Sequence, residues 1–389
     1  MDLCCLCRRK THRRLPDKHD ESTGRDAASC PLPQELLDEC MSYLNYNSTD
    51  LKVCALVCRS WSGAAQRLLF NVVVVTAPPH RYSRIEQTLR TSPHLIQYIH
   101  TLVLHRNSDV KINVFEKFCT LPFTHVENIS ISHSCTVTLP SAIALQRLLC
   151  SPVLRRVAIE CEFDERGAFS AMWNGCSPTI RHLHLRSCDH MPHPAYLIPP
   201  RSSAPVVLES LRLEGSTNVD TWLQHDHCPF DFSRLAVLTL EIHASLPSWP
   251  RMAAALQSIE ALDFSAYCRK VIDLGLFPNL LFLRIHAASV FNITMTLDTL
   301  STITSSSRIR QIVFSIEAPG VDICNRLDSK MAGLPLSYLE SVRLEMGESD
   351  FQCWSQGFPR LGSRELLLRT DSDWFEVQTR RRNSVVAIV

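Results

Sequence analysis

His225-Asp226-His227-Cys228 is a run of metal-competent side chains. Adjacent residues rarely aim at one ion, so the run reads as a polar loop and no metal site is assigned. His190 and His193 flank Met191-Pro192 and also read as loop. The stretch from Gly357 to Arg364 repeats the glycine spacing of a phosphate-binding loop. Ser363 stands where such a loop needs a lysine to reach the phosphates, so a nucleotide site is rejected. Only 11 of 389 residues are glycine, and glycine is what lets backbone approach a bound phosphate closely. Neither HExxH nor GxSxG occurs. No catalytic residue and no cofactor is assigned.

Cysteine is the other reactive group, with 17 in the chain. An odd number cannot be fully paired within one chain. The first residues, MDLCCLCRRKTHRR, lack the apolar core of a secretory signal. No stretch approaches the ~20 apolar residues of a spanning helix. A cytoplasmic and/or nuclear location is therefore expected, where thiols stay reduced and cysteine packs as a small hydrophobe. Cys4, Cys5 and Cys7 beside Arg8-Arg9-Lys10 have three readings: lipidation beside a basic patch, a metal site, or thiols carried on a flexible leader. The formal net charge is +1, which offers no whole-protein attraction to nucleic acid or to a membrane surface. Arg380-Arg381-Arg382 near the other end reads as solvated charge.

A third set of chemically able residues is cationic: Arg156, His182, His184, Arg186 and Arg212. Their placement follows from a pattern: aliphatic, two variable residues, aliphatic, one variable residue, aliphatic. It occurs ten times, from Ile99/Leu102/Leu104 to Leu339/Val342/Leu344, with starts 21 to 30 residues apart. An eleventh, degraded copy is read at Leu366/Leu368. The last two aliphatics of each copy point the same way on a short strand, and the first tucks under the turn that enters it. Stacked copies form a parallel sheet with an aliphatic core on one side. Helical segments such as Pro140–Cys150, Ala168–Trp173 and Leu297–Ile303 fill the crossovers.

The variable residue inside each strand then faces the other way, giving a column from Val103, Ser130 and Ala158 through His184 and Arg212 to Arg343. Neighbouring strands lie ~4.8 Å apart, so the five cations share one patch. Arginine binds carboxylate and phosphate bidentately, so the patch suits an acidic or phosphorylated segment. The opposing reading is a solvated face of mixed charge, because Glu160, Glu214 and Glu241 fall in the adjoining column.

A different texture precedes the strands. Leu36, Leu37, Cys40, Met41 and Leu44 recur at helical spacing after Pro33, with Glu35, Asp38 and Glu39 near the start, where the helix dipole favours acids. Asp50 is the expected cap of a second helix carrying Leu51, Cys54, Ala55 and Cys58. Ser60 is the expected cap of a third carrying Trp61, Ala64, Ala65, Leu68 and Leu69. Three helices this short cannot bury all their apolar surface alone.

Residues 96–370 resemble the leucine-rich repeat family. Its usual Asn or Cys three residues past the last aliphatic appears at Asn107 and Cys188 and is replaced elsewhere. Leu32-Pro33-x-Glu35-Leu36-Leu37 with Cys54-Ala55-Leu56-Val57-Cys58-Arg59-x-Trp61 is similar to the F-box motif. The style looks like the F-box families expanded in basidiomycete fungi. The resemblance implies an α/β fold with an N-terminal three-helix F-box followed by a leucine-rich repeat solenoid, a horseshoe with parallel strands on its concave face. The implied division is a flexible leader 1–29, the F-box 30–70, a connecting and capping segment 71–95, repeats 96–370 and a tail 371–389.

It also implies a function: the substrate-recognition subunit of a Skp–cullin–F-box ubiquitin ligase, non-catalytic itself. By motif position, Pro33, Leu36, Leu37, Leu51, Leu56, Val57 and Trp61 dock on the Skp-type adaptor, and through it on cullin. The repeats bind an unidentified client, with Arg156, His182, His184, Arg186 and Arg212 as candidate contacts. The alternatives are a repeat scaffold that binds the adaptor without directing ubiquitylation, and an enzyme on an α/β fold.

Overall fold

The computed structural model describes residues 33–44, 47–76, 79–106, 112–163, 167–188, 205–215, 219–224, 226, 228–241, 252–265, 271–287, 293–316, 321–346, 351 and 355–370. Cys4, Cys5, Cys7, Leu32, Asn107, His190, His193, His225, His227 and the 371–389 segment lie outside them.

Three helices open the described chain: α1 (Gln34–Ser42), α2 (Ser48–Val57) and α3 (Arg59–Asn71). Pro33 sits at the N-cap of α1, where its missing N–H leaves nothing unpaired. α2 is capped by Asn47, whose side chain accepts from the backbone N–H groups of Thr49 and Asp50. Asp50 lies in the first turn and is not the cap. α3 follows Cys58 without a side-chain cap and already includes Ser60, so the expected Ser60 cap is corrected as well. Extended backbone at Cys58 separates the two helices.

The rest alternates strand and helix. The strands are β1 (Val72–Val75), β2 (Thr101–Arg106), β3 (Asn128–Val137), β4 (Arg156–Phe163), β5 (His182–Arg186), β6 (Val206–Val207), β7 (Ser210–Glu214), β8 (Phe230–Asp231), β9 (Val237–Glu241), β10 (Ala261–Ser265), β11 (Phe282–Ala287), β12 (Gln311–Ile316), β13 (Ser341–Glu345) and β14 (Leu367–Thr370). Twelve of them form one sheet in chain order, while β6 and β8 pair apart from it. Every neighbour in the large sheet is parallel. Parallel neighbours need a crossover. Among the crossover elements are α4 (Pro79–Thr91), α5 (Ile112–Cys119), α6 (Leu139–Leu149), α7 (Ala168–Trp173), α8 (Val219–Leu223), α9 (Ala253–Leu256), α10 (Ile293–Ser301), α11 (Val321–Ala332) and α12 (Pro359–Ser363).

The aliphatic triplets account for this order. Leu102 and Leu104 stand opposite Ile129 and Ile131, and so on in register through Val342 and Leu344. These paired positions are buried in all ten copies, and the first aliphatic of each is buried too, except half-buried Leu339. Burying one such side chain contributes roughly 1.5–3 kcal/mol, so the sheet is stable only as a stack. Cys188 lies 0% exposed past β5, its Sγ directed at the carbonyl oxygens of Ile159 and Arg186. On the helix side Phe163, Phe169, Trp173, Trp222 and Phe230 pack largely edge to face.

One expectation is corrected at the far end of the sheet. In β14, Leu367 pairs with Val342 on the core side, while Leu368 pairs with Arg343 on the polar side. The reading of Leu366/Leu368 is therefore off by one residue, and a one-residue slip exchanges faces. At the other end, Val72–Val75 forms the first strand of the sheet, paired with β2. Val73 and Val75 are buried, and Val72 and Val74 are exposed.

Candidate functional site

The helical module has its own small core. Met41, Leu51, Cys54, Ala55, Ala64 and Ala65 are buried together, with Leu44, Trp61, Leu68 and Leu69 packed against them. Leu37 is also buried, at 1% exposed. This settles where the motif residues point. Leu37 and Leu51 face inward, so they hold the module together rather than forming its surface, and Trp61 is half-buried against that core. Pro33, Leu36, Leu56 and Val57 are exposed, Leu56 at 73%. Cys40 and Cys58 are exposed too, correcting their assignment to packed apolar faces, whereas Cys54 is buried.

Two further apolar side chains lie on the surface of the same module. Tyr43 is 79% exposed and Val53 59%. Sequence reasoning passed over them because Tyr43 ends a helix and Val53 sits beside the polar Lys52, outside the motif. The signal was available in helical periodicity: Val53, Leu56 and Val57 follow the i, i+3, i+4 spacing of one face. The opposite face of α2, with Leu51, Cys54 and Ala55, forms the core. An apolar stripe of this kind suits a groove on another protein.

The second candidate surface is the sheet face opposite the aliphatic core. The expected column is in register: Val103 pairs with Ser130, Ala158 with His184, His184 with Arg212 and Val313 with Arg343. Arg156 and His182 pair in one flanking column, and Arg186 pairs with Glu160 and Glu214 in the other. All five expected cations therefore share one neighbourhood on β4, β5 and β7.

Their electrostatic state differs from an open anion site. Glu214, 7% exposed, sits among them. Its carboxylate lies 3.3 Å from His184 Nε2 and 3.4 Å from Arg186 Nε, and it accepts from Arg212 Nε. Burial alone would raise its pKa, but the His184 contact and the Arg212 charge prevail and hold it at about 2. Arg186 also lies 3.6 Å from Glu160, and Arg212 4.0 Å from Glu241. His182 is pushed down to about 4 by desolvation, reinforced by the Arg156 and Arg181 charges. It is neutral at pH 7, and Arg156 lies 3.4 Å from Asn128 Oδ1. The patch is thus a mixed-charge network in which acids on adjoining strands answer the cations.

A second network on the same face was missed. Arg284, 8% exposed, donates to Glu345 Oε2 at 3.1 and 2.7 Å and lies 3.6 Å from Asp263, which in turn sits 2.9 Å from His286. Desolvation raises the Glu345 pKa against the pull of Arg284. These residues are far apart in sequence, and the register of β10, β11 and β13 brings them together. In the glycine-spaced stretch Gly357 is held for packing, because a Cβ there would clash with Cys324 Cβ on α11, whereas Gly362 meets open space. Among the described residues no group of three or more His, Cys, Asp or Glu is arranged to hold a metal ion. None of their helices is long and apolar enough to cross a membrane.

Residues 30–72 match the F-box domain family. The match covers α1, α2 and α3 up to the first residue of β1. An F-box domain is thus matched in this region alone, and the match extends over none of the remaining sheet. No curated protein matches the chain.

Proposed function

We propose that this chain is the substrate-recognition subunit of a Skp–cullin–F-box ubiquitin ligase. The observation that carries the reading is the F-box match over a module that leaves Leu36, Leu56 and Val57 exposed. These side chains, with Pro33, Tyr43, Val53 and the edge of Trp61, form the docking surface for a Skp-type adaptor, which links the chain to cullin. Leu37 and Leu51 act beneath it as support. The chain itself performs no transfer chemistry; other subunits supply it.

We read the sheet region as a leucine-rich repeat solenoid of the kind found in basidiomycete-type F-box proteins. Ten aliphatic triplets at near-constant period and twelve parallel strands in chain order support that reading. The proposed division keeps the F-box at 30–70, the connecting and capping segment at 71–95 and the repeats at 96–370. The polar face of the strands is the client surface. Its paired network calls for a client that brings charges of both signs rather than a purely acidic one, because Glu214 and Glu160 already answer Arg186.

Co-purification with a Skp-type adaptor tests the docking surface. Leu56→Glu should abolish it while the fold persists, and unchanged binding by a folded Leu56→Glu protein would refute the assignment. The scaffold alternative separates at the next step: a client whose abundance stays constant when the chain is deleted favours a scaffold. For the polar face, Arg186→Glu should weaken client capture, and no effect would remove that face from recognition.

A further inference from the structure

The cations of this chain are very unequally chosen. It has 40 Lys+Arg residues, of which seven are lysine, with none between Lys117 and Lys270 and none after Lys330. No lysine stands in any strand of the large sheet. On the polar face this has a local reason, since arginine pairs bidentately with the neighbouring carboxylates. That reason fails elsewhere. Arg59, Arg155, Arg234, Arg326 and Arg364 are all exposed, and at such positions either cation solvates equally well. Among the described residues Lys117 is the one exposed lysine and Lys52 and Lys330 are half-buried, while Lys10, Lys18, Lys111 and Lys270 lie outside them.

The two cations differ in one respect that matters for ubiquitin transfer. An amine of pKa ~10.4 loses its proton often enough to act as a nucleophile, whereas a guanidinium stays protonated and delocalised. In transfer, a neutral lysine Nζ attacks the carbonyl carbon of a ubiquitin thioester. The new C–N amide bond forms as the C–S bond breaks, the cysteine sulfur leaves as thiolate, and the amine proton passes to solvent. A receptor that holds its client near the charged thioester exposes its own surface to the same electrophile.

We propose that the scarcity of lysine in this chain restricts self-ubiquitylation, so that ubiquitin is directed to the bound client and the receptor survives repeated cycles. This inference rests on the receptor reading above and concerns its regulation. The solvent-facing arginines keep the charge that solubility requires without offering an acceptor amine.

The test uses the full chain assembled with the adaptor, cullin, its RING partner and a ubiquitin-charged conjugating enzyme, without client. The comparison is wild type against an Arg155→Lys, Arg234→Lys, Arg326→Lys triple variant, which keeps every charge. Ubiquitin on the chain is quantified and mapped by mass spectrometry. Wild type should carry little, and the triple variant should carry several-fold more, at the introduced lysines. Equal conjugation of the two chains, or heavy conjugation of wild type at any of its seven lysines, would overturn the inference while leaving the receptor reading in place. A chain that never enters the adaptor–cullin assembly overturns both.

Discussion

Glu214 is the residue on which the polar face turns. The Arg186 and Arg212 guanidinium groups and the His184 ring converge on its carboxylate. Glu214→Gln removes the central charge and leaves Arg186 and Arg212 to repel one another. We expect a loss of about 2–4 kcal/mol, read as a shift in the denaturation midpoint. The pH dependence follows from the same network. The folded Glu214 pKa of about 2 lies below its ordinary 4.5, so its stabilisation is complete above ~4.5 and disappears as pH falls toward 2. Folded His182 takes a proton only near 4 against an ordinary 6.5. Between those values the unfolded chain binds the extra proton, so stability also declines as pH falls from 6.5 to 4. Urea midpoints between pH 7 and 4 should therefore fall, and His182→Gln should flatten that part of the profile. The cations were legible in sequence because strand alternation puts them on one face. The depth of Glu214 was not, because burial depends on how neighbouring strands crowd a column.

At the scale of elements, the strands were legible and the helix ends less so. Each strand announces itself by an aliphatic pair whose period of two matches the pleat. Caps depend on one backbone conformation, and several polar residues compete for them: Asn47, Ser48, Thr49 and Asp50 all precede the apolar run of α2. Asn47 wins because its side-chain oxygen reaches two backbone N–H groups at 3.1 and 3.3 Å. Asn47→Ala should destabilise the module by about 1 kcal/mol, measurable as a lower melting temperature, whereas Ser60→Ala should change little. The slip at Leu367 has a similar origin. Leu366, Leu367 and Leu368 are all apolar, so alternation gave no basis for choosing a face, and pairing with Val342 decides it. Gly357→Ala should loosen the contact between α11 and the chain entering α12, because a Cβ has no room beside Cys324. Its effect should exceed that of Gly362→Ala, which meets open space.

At the scale of the whole molecule, a small helical module and a long parallel sheet are joined through α3, which runs directly into β1 and packs against the 3-10 turn Pro93–Tyr98. The module closes its own core and still leaves an apolar stripe outside, which is the physical basis for assigning it a partner. Docking by apolar side chains on a chain of net charge +1 should depend weakly on salt. Adaptor affinity should change by less than about threefold between low salt and half-molar salt, as isothermal titration would show. The central claim is the docking surface itself. Its most direct test is the affinity of the full chain for a Skp-type adaptor, compared with that of Leu56→Glu at unchanged melting temperature. Tight binding by wild type and none by the variant is the predicted result. Equal binding by both, or none by a folded wild-type chain, would contradict the account.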